Sequence, residues 1–224
     1  MKIGLLVAMA EEITPFLEKS GEPLDVIEVK GYKTLVYRVG DNILYVIGSG
    51  VGENAASATV QYLITAFGVE MIVNFGVVGG LTDRMKLQAV CVVEKAVHYD
   101  FDASPFLEVS KGRYIQFPDI FIPASEELIE KALKIKQDII PVVCASADKF
   151  VADPEEKRRL YREFGADICD METAGILLTC HRNEVPAILI KAVSDSVEGG
   201  AEEFSAMVEK AAAVCVDIVM GLIS

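Results

Sequence analysis

Three carboxylates and two glycine runs stand where chemistry could be done. Glu12 closes the segment AMAEE, Glu172 lies in DMETAG, and Asp195 lies in VSDS. Gly48, Gly50 and Gly52 form one run, and Gly76, Gly79 and Gly80 another. Each group follows a segment that reads as a strand, and so do Asp148, Phe150, Met171 and Ser194. In open α/β sheets, ligands bind at the carboxyl ends of strands. Carboxyl groups gathered there can divide the work of acid and base if their surroundings push their proton affinities apart. Taken singly, each has a plainer reading. Glu12 and Glu172 suit the first turn of a helix, Asp195 suits a cap, and Phe150 suits a core. The GSGVG run (48–52) is not a dinucleotide or phosphate loop: it misses the first strand–helix turn, and no GK[ST] follows.

The elements that must position these residues read as follows. Residues 2–9 form a buried strand, and Glu11–Lys19 a helix that tolerates Pro15 only near its first turn. Residues 25–39 and 42–49 alternate apolar and polar positions, as antiparallel strands do. GSGVGENAA (48–56) turns into a helix carrying Ala56, Val60, Leu63, Ile64 and Phe67 at helical spacing. Further strands are expected at 71–78, 89–97, 139–146, 168–171 and 188–193. Helices are expected at 125–136, with Ser125 as N-cap, and at 154–164, 173–183 and about 202–223. Residues 98–121 read as irregular. Strands alternating with helices predict one α/β domain over residues 1–224, with a mixed sheet flanked by helices on both faces.

Bulk properties narrow the partners. The chain has 34 acidic and 21 basic residues, a net charge of −13, so general attraction to nucleic acid is excluded. The densest basic run, Lys157-Arg158-Arg159, follows Glu155 and Glu156 and reads as a solvated helix face. No apolar run approaches the ~20 residues that span a bilayer. Glu11 and Glu12 interrupt the apolar start before a leader could form, so the cytoplasm is the expected compartment. The five cysteines include no CxxC pair and are expected to be reduced and buried. His98 and His181 lie far apart without metal-ligand spacing, so no metal is expected.

In their order along the chain, KIGLLVAMAEE, GSGVGENAA, VNFGVVGGL, SADKF, DMETAG and KAVSDS resemble the nucleoside phosphorylase/nucleosidase superfamily. The nearest resemblance is to the bacterial 5'-methylthioadenosine/S-adenosylhomocysteine nucleosidases, over nearly the whole chain. That resemblance implies a homodimer that hydrolyses adenine from 5'-thio-substituted adenosines without metal or cofactor. It implies that Glu12 activates the attacking water. Asp195 would protonate purine N7, oriented by Ser194. Glu172 would hold the ribose hydroxyls, with Met171 packed on the sugar. Phe150 would stack on the base, and the backbone of Phe150 and Val151 would read its edge. Met9, Val51 and Phe204 would line the 5'-substituent pocket. Val77, Gly79 and Lys191 would lie around the nucleophile and the strand-end loop.

The chemistry suits such residues. A purine glycosidic bond breaks through an oxocarbenium-like state, helped by protonation of the leaving base and a poised nucleophile on the other face of the sugar. Burial of Asp195 at the end of an apolar strand would favour its protonated form, while Glu12 stays ionised. Two positions depart from the nucleosidase pattern. Val77 replaces a serine and loses a hydroxyl, and Lys191 replaces an arginine, keeping its charge without its fork. The alternatives within this reading are a phosphorylase that uses phosphate, a futalosine-type nucleosidase, and a nucleoside-binding protein without turnover.

Overall fold

The computed structural model describes residues 1–224 as one α/β unit. Its first half runs β1 (Lys2–Val7), α1 (Ala10–Ser20), β2 (Asp25–Val29), β3 (Tyr32–Val39), β4 (Asn42–Gly48), α2 (Glu53–Phe67), β5 (Met71–Gly80) and β6 (Val90–His98). The second half runs β7 (Ile122–Pro123), α3 (Glu126–Ile135), β8 (Ile140–Ser146), α4 (Pro154–Phe164), β9 (Ile168–Asp170), α5 (Thr173–Asn183), β10 (Ala187–Asp195) and α6 (Ala201–Ile223). All ten strands belong to one mixed sheet.

β5 is the hub, and all ten of its residues are buried. On one edge it pairs in parallel with β10 from Ile72 to Gly79. On the other edge β1 covers only Met71–Asn74, and β9 joins only at Gly79 and Gly80. Residues 75–78 therefore have no strand on that side. β5, β10, β6, β8 and β9 close a ring, while β1, β4, β3 and β2 extend outward as an open sheet. Apolar side chains on both faces of β5 explain its near-continuous run of hydrophobic residues. Phe16 of α1, Ile129 of α3 and Val219 of α6 pack with Val73 and Phe75 on one face. Val60 of α2 and Ile176 of α5 pack with Ile72 and Val78 on the other.

Several sequence expectations are adjusted. The stretch 25–39 breaks at Lys30 and Gly31, both with positive φ (48° and 89°), the geometry of a tight hairpin turn. Pro15 lies in the second turn of α1 rather than the first. β5 runs on to Gly80 and β10 to Asp195, so Ser194 and Asp195 are strand residues rather than loop residues. Of the stretch 98–121, His98 still belongs to β6, residues 99–121 form neither α-helix nor strand, and the short β7 just after them was not anticipated.

The start of α2 is capped from a distance. Asp148, after β8, accepts the backbone N–H of Glu53 at 2.7 Å. Gly52 has φ 108°, and a Cβ there would stand 2.8 Å from Asp148 Oδ1. Asp148→Ala should therefore lower stability by about 1 kcal/mol, read as a lower urea midpoint with an unchanged m-value.

Candidate active site

A cavity of about 380 Å³ opens beside the carboxyl ends of β5, β9 and β10. The uncovered edge of β5 sets its floor. Val77 N–H donates to Glu12 Oε1 at 2.8 Å, replacing the strand partner that is missing there. The other oxygen of Glu12 accepts the N–H of Met9 at 3.0 Å, so the same carboxylate also satisfies the backbone at the start of α1. Gly76 permits this approach, since a Cβ would lie 2.6 Å from Glu12 Oε1. Burial raises the pKa of Glu12, against the N–H of Val77 and the charge of Lys191.

Behind the floor lies a buried charge network. Lys191 Nζ is 2.9 Å from Asp170 Oδ2. Burial opposes the Lys191 charge, but Asp170, Glu172 and Glu12 outweigh it and raise its pKa. Ser146 Oγ lies 2.6 Å from Asp170 Oδ1 and 2.5 Å from Glu53 Oε1. One hydroxyl proton cannot serve both carboxylates. Ala174 N–H also donates to Ser146 Oγ. The consistent arrangement has Ser146 donating to Asp170 while a protonated Glu53 donates to Ser146. In agreement, the Glu53 pKa is pushed up to about 8, by burial first and by Asp170 second. Glu172, at the cap of α5, accepts Gly52 N–H at 3.0 Å and is pushed up to about 7 by burial and then by Asp170.

At the other end of the cavity, Asp195 Oδ2 lies 2.5 Å from Lys157 Nζ, and Ser194 Oγ donates to Oδ1 at 2.8 Å. Lys157 has no exposed surface, so the solvated-face reading of the basic run fails at this residue. Lys157, Leu160 and Phe164 are all buried and share one face of α4 at spacings of three and four. That spacing is the sequence signal that would have separated Lys157 from Arg158 and Arg159. Asp195 is therefore not an isolated carboxyl in an apolar setting, as the sequence suggested, but accepts from a buried lysine ammonium at 2.5 Å.

The cavity brings together Glu12, Asp195, Glu172, Met171, Ser194, Phe150, Val151, Met9, Val51, Val77, Gly79 and Phe204. Phe150 and Phe204 meet edge to face at 5.3 Å. Lys191 does not line the cavity and sits behind it against Asp170. Lys149 lines it and was not foreseen, and no arginine does. No group of three His, Cys, Asp or Glu side chains is arranged to hold a metal ion. Glu53, Ser146 and Asp170 were also missed, because no local pattern links residues on three separate elements.

The pattern of the phosphorylase superfamily matches residues 2–224. The chain is 34% identical over 218 residues to an aminodeoxyfutalosine nucleosidase of Helicobacter pylori, covering 94% of this chain and 93% of that one. It is 31% identical over 228 residues to a 5'-methylthioadenosine/S-adenosylhomocysteine nucleosidase of Staphylococcus aureus, covering 99% of each. The crystal structure of such a nucleosidase from Helicobacter pylori with butyl-thio-DADMe-Immucillin-A superposes with a TM-score of 0.93 at 31% identity, over 99% of this chain and 97% of that one.

The raised carboxyl groups carry a pH signature. A carboxyl whose folded pKa lies above its unfolded value stabilises the fold below the ordinary carboxylate range, and this contribution is lost as pH rises through the folded value. Stability should therefore fall between about pH 5 and pH 8 as Glu172 and Glu53 are forced to ionise. Glu53→Gln mimics the protonated side chain and should flatten this decline, measured as urea midpoints from pH 5 to 9.

Proposed function

We propose that this chain, which belongs to the phosphorylase superfamily, is a purine nucleosidase that hydrolyses 5'-methylthioadenosine- and S-adenosylhomocysteine-type nucleosides to release adenine. The observation that carries the reading is one cavity holding two carboxylates in different settings, one on backbone N–H groups and one on an ammonium. Glu12 stands against Gly76 and Val77, and Asp195 against Gly79. Three residues of strand separate these stations by about 10 Å, enough to flank a ribose.

In this reading Asp195 enters the reaction as the acid, with Oδ2 accepting from the Lys157 ammonium and the proton on its other oxygen, and gives that proton to purine N7, so the base leaves neutral. Glu12 takes a proton from water as its oxygen bonds to the anomeric carbon, and its raised proton affinity suits it as a base. The two groups return to their starting states by exchange with solvent. Glu172 receives the ribose hydroxyls, Met171 packs on the sugar, and Ser194 orients Asp195. Phe150 and Val151 bind the base, and Phe204, Met9 and Val51 receive the 5'-substituent. Val77 contributes its N–H and Gly79 its lack of a side chain. Lys191 acts from behind as a fixed charge on Glu12 and Glu172. The absence of arginine from the lining favours water over phosphate as nucleophile.

A second substrate, aminodeoxyfutalosine, is favoured by the likeness to the Helicobacter pylori enzyme of that name. We also propose a homodimer, supported by the exposed Phe106 and Ile115 in residues 98–121, at 78% and 71% exposure. A cytoplasmic setting is supported by five free, buried cysteines.

Chromatography of free base from 5'-methylthioadenosine, S-adenosylhomocysteine, aminodeoxyfutalosine and inosine, each with and without phosphate, tests the assignment. Adenine release indifferent to phosphate is expected, and release only with phosphate would replace water as the nucleophile. Glu12→Gln and Asp195→Asn should each lower kcat by roughly 10²–10⁴-fold with the fold intact; a near-normal rate in either variant removes that residue from the mechanism.

A further inference from the structure

Lys157 is placed where no helix-surface lysine would be. Its ammonium has three protons and three acceptors: Asp195 Oδ2 at 2.5 Å, the Ser196 carbonyl at 2.6 Å and the Gly199 carbonyl at 2.9 Å. It has no exposed surface, and Asp195 is 1% exposed. A fully donated, water-free ammonium is held in one position, and a flexible four-carbon side chain loses its rotamer freedom to reach it. Fold stability alone is a weak reason for such a pair, since a buried ion pair commonly does no better than apolar side chains of the same volume.

The pair also links two parts of the site. The Ser196 and Gly199 carbonyls belong to the loop that joins β10 to α6, and Phe204 in the first turn of α6 lines the cavity. That loop is closed a second time by Glu203, which accepts Ser196 N–H at 2.7 Å and Ser196 Oγ at 2.9 Å. Gly199 leaves room for Glu203, since a Cβ there would overlap its carboxylate. The ammonium thus fastens Asp195 and the wall bearing Phe204 to the same point on α4.

We propose that Lys157 is a positioning residue for the glycosidic cleavage, holding Asp195 in place and stabilising the carboxylate left behind when Asp195 gives up its proton. This rests on the nucleosidase reading. The proton passes from an Asp195 oxygen to N7, the electron pair of the O–H bond stays on that oxygen, and the Lys157 ammonium keeps its three protons throughout. Ser194 completes the exchange. Its hydroxyl lies 3.2 Å from the Val78 carbonyl and 2.8 Å from Asp195 Oδ1. It can donate to Val78 while Asp195 is protonated and turn to Asp195 afterwards. The other groups facing Asp195 do not duplicate the ammonium. Cys169 on β9 has a thiol that burial pushes up to about 12, so it is neutral. Gly79 on β5 brings no side chain, Glu203 on α6 is engaged by Ser196, and Glu172 shares the cavity as a further acid.

The test is kcat and KM for adenine release from 5'-methylthioadenosine by the full chain and by Lys157→Met and Lys157→Arg. Lys157→Met is expected to lose roughly 10²-fold in kcat, with KM changed by less than about threefold. Lys157→Arg, which keeps the charge, should recover at least about tenfold of the loss in kcat. Equal losses of kcat in the Met and Arg variants would make Lys157 a packing residue and overturn the proposal. A Met variant within threefold of normal would also overturn it. If Lys157→Met does not fold, Lys157→Gln is read in the same way, and failure of both neutral variants to fold assigns Lys157 to folding alone. An inactive unsubstituted chain overturns the nucleosidase reading itself, which separates that failure from the failure of this inference.

Discussion

A buried backbone N–H left without an acceptor costs about 1–3 kcal/mol, so the edge of β5 that neither β1 nor β9 reaches must be satisfied from elsewhere. Glu12 supplies that acceptor for Val77 while holding the first turn of α1 through Met9. The requirement fixes where α1 begins and explains a glycine at position 76, where any side chain would collide with the carboxylate. It also places an acidic group at the mouth of a gap in the sheet. The site exists because β1 and β9 share one edge of β5 without meeting.

Around this gap the interior holds five carboxylates, Glu12, Glu53, Asp170, Glu172 and Asp195, against two lysines, Lys157 and Lys191. Two positive charges cannot balance five negative ones in a medium where unpaired charge is costly. The imbalance is met by protons: Glu53 and Glu172 are pushed up into the neutral range, while Asp170 and Asp195 take the lysines. Removing one member of such a pair costs about 3–5 kcal/mol, because its partner stays buried and unpaired. The same arithmetic puts carboxyl groups of unequal proton affinity into one cavity, the condition for acid and base to work side by side.

Much of this was legible in the sequence. Strand–helix alternation gave the mixed α/β sheet, because periodicity follows from which faces are buried and both faces of β5 are. Motifs at strand ends pointed to Glu12, Glu172 and Asp195, since an α/β sheet presents its strand ends to ligands whatever the crossing order. The short β7 escaped, because two residues carry no periodic signal. The 25–39 hairpin escaped, because Lys30 adopts a positive φ that its residue type does not announce.

By itself the sequence determined the elements, their burial pattern and the acidic groups available, because these depend on residue type and local spacing. Only the tertiary structure decided which charges meet. Lys157 is separated from Asp195 by two elements, and Glu53 from Asp170 by about half of the chain, yet each pair shares one desolvated space. Electrostatic interaction depends on distance and on the exclusion of water, and neither is written in the order of residues. So the fold turned a lysine that reads as solvent-facing into the partner of Asp195, and took Lys191 from the cavity to stand behind it.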